Sequence, residues 1–341
     1  MKLDAVSSVR LRRFGSIRSS NPVRSQAHVH DRAVGRQGDG VMGKVEGVLV
    51  LAGPTASGKT ELAIELAREF DAEIVGADSR QIYRGMPVGT AAPTPQQLAA
   101  VRHHLIGFLD PHERYSAARF ARDATDAIEE IASRKRRAIV VGGTGFYVRA
   151  LTGAVQLAPH YDEELRERLA REARLHDGPF LHAWLASRDP RRARAIHPGD
   201  AYRVLRALEI ALAPKGATRC ERDARSLVTA GIPFAKVYLQ VDARELEERI
   251  ARRTDAMLGC GLLEEAQAVG SDVVAASAVG YPQAIAYLHG WCTREELRAL
   301  LARATRRYAR RQQTWFRSEP ETLWLPRDAV ARSAREILGW A

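Results

Sequence analysis

Val48-Leu49-Val50-Leu51-Ala52-Gly53-Pro54-Thr55-Ala56-Ser57-Gly58-Lys59-Thr60-Glu61-Leu62-Ala63-Ile64-Glu65-Leu66-Ala67 is the stretch that decides the fold. Its first five residues form a short apolar run, which suits a strand buried on both faces. Its last seven repeat apolar residues at helical spacing. Between them lies G-x-x-x-x-G-K-T, so strand, Gly-rich loop and helix arrive in the order of a P-loop. The glycines let backbone N–H groups turn toward phosphate oxygens, and the helix N-terminus adds a favourable dipole. Lys59 is placed to reach a terminal phosphate, and the Thr60 hydroxyl to hold Mg²⁺. Gly53, Pro54, Thr55, Ala56, Ser57, Gly58, Lys59 and Thr60 are therefore the expected phosphate-binding residues.

The phosphate site does not name a reaction. A nucleotide-hydrolysing P-loop protein usually has a second strand ending in Asp, to organise Mg²⁺ and water. The candidate strand Ala138-Ile139-Val140-Val141 ends instead in Gly142-Gly143-Thr144-Gly145, with no carboxylate. That favours group transfer from a phosphorylated donor over a motor or switch ATPase. Another apolar run, Ile74-Val75-Gly76-Ala77, delivers Asp78 at its C-terminal end. Strand C-termini line the ligand crevice of a parallel α/β sheet, so Asp78 is expected to face the P-loop. An ionised Asp repels phosphate, so it suits a general base for an incoming nucleophile. A plain turn cap is the competing reading. Ser79 to Gly85, SRQIYRG, mixes donors, a planar amide and an aromatic ring suited to a base or other planar polar group.

The chain has 341 residues, 45% hydrophobic and 27% charged, as a soluble globular protein does. No stretch is long and apolar enough for a membrane span. Cys220, Cys260 and Cys292 are too scattered for a disulfide framework or a zinc signature. The net charge of +11 makes an acidic partner the first expectation. Residues 1–44 and 293–317 each carry +6, leaving the rest close to neutral. Residues 1–44 lack an apolar period and read as a disordered basic extension. Three explanations compete for it: a start placed too early, with Met42 opening the protein; a basic arm assisting nucleic-acid binding; and an Arg- and Ser-rich organelle transit peptide.

Several motifs together resemble the tRNA dimethylallyltransferases, also called tRNA isopentenyltransferases. They are GPTASGKT at 53–60, DSRQIYRGMPVGT at 78–90, HHLIGFLDPHERYS at 103–116 and GGTGFY at 142–147, followed by IHPGDAYRVLRALE at 196–209, GYPQAIAYL at 280–288 and YARRQQTWFR at 308–317. They occur in the family's order and cover roughly residues 45–326. The resemblance implies transfer of a dimethylallyl group from dimethylallyl diphosphate to N6 of the adenosine 3′-adjacent to the anticodon, with Mg²⁺. The P-loop would then hold a diphosphate leaving group rather than ATP, and no water need be activated. By motif, the resemblance makes Asp78 the base, with Thr144 and Arg253 as the other catalytic residues. Asp78, Ser79, Arg80, Gln81, Thr144, Arg166 and the run Tyr202, Arg203, Val204, Leu205, Arg206 would contact tRNA. Gln312 and Trp315 are assigned to positioning.

Arg249 and Arg253 stand four apart on an expected helix, as the lid arginines of nucleotide kinases do. A planar, always-charged fork suits diphosphate better than Lys. Between 155 and 233 the pattern turns helical and charged, without a strand-like run. In residues 293–317, Leu297, Leu301, Ala304, Tyr308 and Trp315 read as a core stripe. Arg303, Arg307, Arg310 and Arg317 form a second stripe, fit to track an RNA backbone. Adjacent His103 and His104 point apart and have no metal-binding spacing. Ala92 stands where the family usually has Lys.

The expected fold is α/β: a P-loop NTPase-like, mainly parallel sheet flanked by helices, with an all-helical insertion. The core is expected over 45–154 and 234–341, and the insertion, expected to grip the anticodon stem-loop, over 155–233. The protein is expected to be a bacterial cytoplasmic monomer, organelle targeting being the minor alternative. Adenylate isopentenyltransferase and a P-loop small-molecule kinase are the rival activities. A non-catalytic RNA-binding protein with a relic P-loop is the rival outside enzymes.

Overall fold

Each apolar run of the core becomes a strand because helices cover both faces of the sheet, where only continuous hydrophobic segments fit. The structure is a computed structural model and describes residues 46–155, 163–213 and 225–341. The strands are β1 (Val48–Ala52), β2 (Ala72–Gly76), β3 (His103–His104), β4 (Arg137–Gly142), β5 (Phe234–Leu239) and β6 (Thr322–Leu325). They form one six-stranded sheet in the order β3-β2-β4-β1-β5-β6. Every pairing is parallel, and Val50 at the centre lies opposite Val140 on one side and Lys236 on the other.

The order fixes where chemistry can occur. From β1 the chain crosses β4 to reach β2, whereas after β4 it passes to β5 on the far side. The loops following β1 and β4 therefore part at the middle of the sheet and leave a crevice beyond the strand ends. Gly53, Ala77 and Gly143 directly follow β1, β2 and β4 there.

Helix Lys59–Glu69 buries Leu62, Ala63, Ile64, Leu66 and Ala67. Trp340, near the end of the chain, is 1% exposed and tilts against Phe70 at 5.4 Å between ring centroids. Helix Ala117–Ser133 starts where Ser116 accepts a hydrogen bond from the Arg119 N–H. It buries Phe120, which stacks on Tyr147 at 4.4 Å. Helix Arg294–Arg317 opens on a capping box between Thr293 and Glu296.

At the outer end of the sheet, His104 and Arg134 each approach the buried Glu73 carboxylate at 2.7 Å. Burial alone would raise Glu73, but hydrogen bonds from Arg134 and His104 outweigh it and hold the carboxyl below its usual range. His103 turns elsewhere, with Nδ1 at 2.7 Å from the Val101 carbonyl.

The chain divides into two compact units, one of residues up to Thr152 and from Ser226 onward, the other Gly153–Arg225. The core resumes at Ser226, ahead of the 233/234 boundary expected from sequence. Leu227 is fully buried, and its N–H donates to the Leu151 carbonyl at 2.8 Å. The second unit has helices Glu163–Leu175, Gly178–Arg188, Pro190–Arg194 and Ala201–Leu212 among its described residues. Asp177, Asp189 and Asp200 cap the last three. Leu169, Leu181, Leu185, Val204 and Leu208 form its own core.

No helix of the described residues is long and apolar enough to cross a membrane. Residues 1–44, expected to be a disordered basic extension, lie outside the described residues. Replacing Trp340 by Ala removes a fully packed ring from the main core. It is expected to cost about 3–5 kcal/mol, measured as a shift of the urea unfolding midpoint at unchanged slope.

Candidate active site

The P-loop bends between β1 and helix Lys59–Glu69 through two left-handed residues, Ala56 at φ 65° and Gly58 at φ 82°. Its amides do not all face one way. Pro54 has no N–H, and its carbonyl accepts from Ser57 N–H at 3.2 Å and from Lys59 Nζ at 3.3 Å. The Thr55 N–H is donated to Gln312 Oε1 at 2.8 Å. Gly53, Pro54 and Thr55 thus build the back of the loop, and with the Ser57 N–H also turned inward the amides left to meet an anion are those of Ala56, Gly58, Lys59 and Thr60. The buried Ser57 hydroxyl has no partner among the described residues.

Asp78 stands just beyond β2, where Arg80 donates its N–H to Oδ1 at 2.9 Å. Its carboxylate has no ion pair among the described residues. The turn is held from the neighbouring strand. Ala77 N–H donates to Val141 O at 2.8 Å, and Ser79 N–H donates to Thr144 Oγ1 at 2.9 Å. A Cβ on Gly142 would fall on the Ala77 backbone, so only glycine lets β2 and β4 finish this close.

Asp78 opens into a cavity of about 200 Å³, whose walls include Thr55, Arg80, Arg253, Met257 and Tyr308. Arg253 comes from helix Ala243–Gly259. One guanidinium nitrogen donates to Thr90 O at 3.4 Å, while its Nε is buried without a partner. Burial pulls the Arg253 pKa down, and Asp78 opposes that. Burial also pushes Lys59 down to about 8, an effect opposed by Asp78 and reinforced by Arg253. Burial, then the Asp78 charge, pushes the Tyr308 phenol up, and a hydrogen bond with Thr144 works the other way. Tyr308 therefore stays a neutral phenol beside the carboxylate and cannot compete with it as a base.

The segment after Asp78 is fixed by its own contacts. Gln81 donates its amide to Thr90 O at 3.2 Å and to Ala91 O at 2.9 Å. Glu265 accepts from the Val88 and Gly89 N–H groups at 2.8 and 2.6 Å, and from the Tyr281 hydroxyl at 2.6 Å. Ala92 takes part only through its N–H, which reaches Pro87 O at 3.0 Å.

The structure thus gathers Asp78, Ser79, Arg80 and Arg253 around one cavity, with Lys59 within electrostatic reach. Thr144 supports that wall from behind through Ser79. Thr60 follows Lys59 in the first helical turn, partly exposed. Arg249 does not share the cavity: it donates to Ser57 O at 2.9 Å and pairs with Glu245 at 2.6 Å.

Arg166 and Tyr202–Arg206 lie on the second unit. Tyr202 and Arg203 are exposed, and Arg206 pairs with Glu209 at 2.6 Å. Val204 is fully buried in that unit's core, so its side chain offers nothing to a ligand; it was expected among the tRNA contacts because the motif runs through it. Arg166 is half-buried.

Helix Arg294–Arg317 corrects another expectation. The buried row is Leu297, Leu301, Thr305, Ala309, Gln312 and Phe316, so Tyr308 leaves the core and lines the cavity. Steps of three and four from Leu297 and Leu301 fit both rows, so the spacing does not choose between them. Arg303, Arg307, Arg310 and Arg317 are all exposed. Tyr308, Met257 and Glu265 were not singled out as site residues from sequence.

A family model described as IPP transferase matches residues 81–319. The chain is 44% identical over 284 residues to tRNA dimethylallyltransferase 1 of Pelobacter propionicus, covering 82% of this chain and 92% of that protein. It is 46% identical over 295 residues to tRNA dimethylallyltransferase of Anaeromyxobacter dehalogenans, covering 84% and 98%. Among solved structures it is similar to the full-length tRNA isopentenylpyrophosphate transferase of Bacillus halodurans. That match has a TM-score of 0.60 and 36% identity over 86% of this chain and 95% of the other.

A Lys59 pKa near 8 has a measurable consequence. The ammonium is charged below that pH and is lost as pH rises through it, so a bound anion loses a cationic partner. Pyrophosphate affinity is expected to fall about tenfold more between about pH 7 and 9 for the wild type than for Lys59→Met. Calorimetric titration of both proteins across that range checks the difference.

Proposed function

The chain belongs to the IPP transferase family, and we propose that it transfers a dimethylallyl group from dimethylallyl diphosphate to N6 of the adenosine 3′-adjacent to the anticodon of tRNA. The observation that carries this reading is the placing of Asp78. Its carboxylate is free of ion pairs among the described residues and shares a cavity with Arg253 and the P-loop residue Thr55.

The diphosphate is assigned to the amides of Ala56, Gly58, Lys59 and Thr60, with Lys59 and Arg253 balancing its charge. The adenosine amine enters on the Asp78 side. The bond from the allylic carbon to the diphosphate oxygen breaks as the bond to N6 forms. The N6 proton passes to the Asp78 carboxylate, and pyrophosphate leaves. Charge therefore grows on pyrophosphate where Lys59 and Arg253 already stand, which lowers the barrier without reorganisation. Thr144 holds the turn that aims Asp78. Ser79 and Arg80 lie on the acceptor side of the cavity, and Gln81 keeps the wall beside them in shape.

Mg²⁺ fits this site only as a partner of the bound diphosphate. No group of three or more His, Cys, Asp or Glu among the described residues could cage a metal, whereas the Thr60 hydroxyl stands at the loop as a single hard donor. When bound, the ion supplies further neutralisation of the leaving group.

The exposed Arg303, Arg307, Arg310 and Arg317 suit the RNA backbone, where each released counterion adds affinity. Arg166, Tyr202, Arg203 and Arg206 are the corresponding candidates on the helical unit, and Leu205 accompanies them.

Labelled dimethylallyl diphosphate offered to unmodified tRNA and AMP side by side, with Mg²⁺, tests the reading. Label is expected at the adenosine beside the anticodon. Label in AMP alone would make the protein an adenylate isopentenyltransferase, and label in neither would return the kinase reading. Asp78→Ala should cut turnover by about 10²–10⁴-fold while gel-shift affinity for tRNA persists; unchanged turnover would remove Asp78 as the base. Arg253→Ala should weaken binding of dimethylallyl diphosphate by about 10–100-fold, read by equilibrium titration.

A further inference from the structure

We infer that Gln312 is a positioning residue that sets the separation between the diphosphate cradle and the loop behind the base. This rests on the transfer reading above and adds to it how the two halves of the site are held in register.

The Gln312 side chain is 5% exposed, on the inward face of helix Arg294–Arg317. Its Oε1 accepts from the Thr55 N–H at 2.8 Å, and its Nε2 donates to the Gly143 carbonyl at 2.9 Å. One amide group thus spans the loop after β1 and the loop after β4. The fit is close: a Cβ on Gly143 would fall on Gln312 Nε2, and one on Gly145 would fall on the Trp315 ring. Between those glycines stands Thr144, whose hydroxyl accepts from the N–H of Ser79, the neighbour of Asp78. The connection runs from the P-loop through Gln312 to Gly143 and Thr144, and on to the turn bearing the base.

The chemistry of the spanning group narrows the residue to glutamine. One end must accept and the other donate, at a fixed spacing. Asn is one methylene short. Met fills the volume but leaves a buried N–H and a buried carbonyl unpaired. Glu keeps the acceptor for Thr55 yet sets carboxylate oxygen against carbonyl oxygen at Gly143. A protonated Glu, by contrast, is nearly isosteric with Gln and donates again.

That difference supplies a test. Single-turnover transfer to tRNA at saturating substrates is measured for wild type, Gln312→Met and Gln312→Glu, alongside pyrophosphate and tRNA affinities. In Gln312→Met the transfer rate should drop by about a hundredfold, with both affinities within about twofold of wild type. Gln312→Glu should be slow at pH 8 and recover toward the wild-type rate as the pH is lowered to about 6, since a buried carboxyl facing a carbonyl takes up its proton readily. Gln312→Met transferring at the wild-type rate would overturn the inference, as would a Gln312→Glu pH profile parallel to that of wild type. A rate loss matched by equal losses in both affinities would also overturn it, because Gln312 would then serve only the fold. Wild-type protein that fails to label tRNA would bring down the transfer reading itself, and the inference with it.

Discussion

Charge without internal compensation is the constraint around which this site is built. Lys59 and Arg253 are both drawn away from water, and burial lowers both pKa values. The nearby Asp78 forms no ion pair with either among the described residues. A fold that only needed stability would neutralise such cations or replace them with apolar groups. Holding them apart from the carboxylate keeps two functions separate. The cations are left for an anion, and the carboxylate is left for a proton. Tyr308, kept neutral by burial and by Asp78, adds a polar wall without adding charge.

That separation depends on how closely the strands finish. β2 and β4 end near enough for Gly142 to touch the Ala77 backbone, and Ser79 reaches Thr144 across the same gap. The sheet sets the height of these loops, and helix Arg294–Arg317 closes them from the side with Gln312 and Trp315. Glu265 and Tyr281 perform the equivalent service for the segment after Asp78. Parts of the chain more than a hundred residues apart therefore set the shape of one small cavity.

Much of this was legible in the sequence where the signal is local. The run at 48–67 fixes strand, loop and helix through residues in contact with their neighbours, and Asp78 follows from its place after an apolar run. What escaped depends on distant partners. Thr305 and Gln312 look polar enough for an outer face, but each satisfies its hydrogen bonds internally, Thr305 with Leu301 O and Gln312 with Thr55 and Gly143. The true buried row was therefore hidden, and Tyr308 was read as core. Val204 shows the converse. A motif names a run of residues, yet a helix turns some of them away from any ligand. The resumption of the core at Ser226 was obscured because Leu227 and Ile232, both buried, lie outside any strand.

The hydrogen bond between Leu227 N–H and Leu151 O closes the base of the second unit. The core hands the chain over and receives it back at one spot, so the length of the excursion barely enters the energetics of the sheet; each doubling of such a loop adds only about 0.6 kcal/mol. A longer or shorter excursion between Leu151 and Leu227 is therefore cheap for the sheet that carries the P-loop and the base.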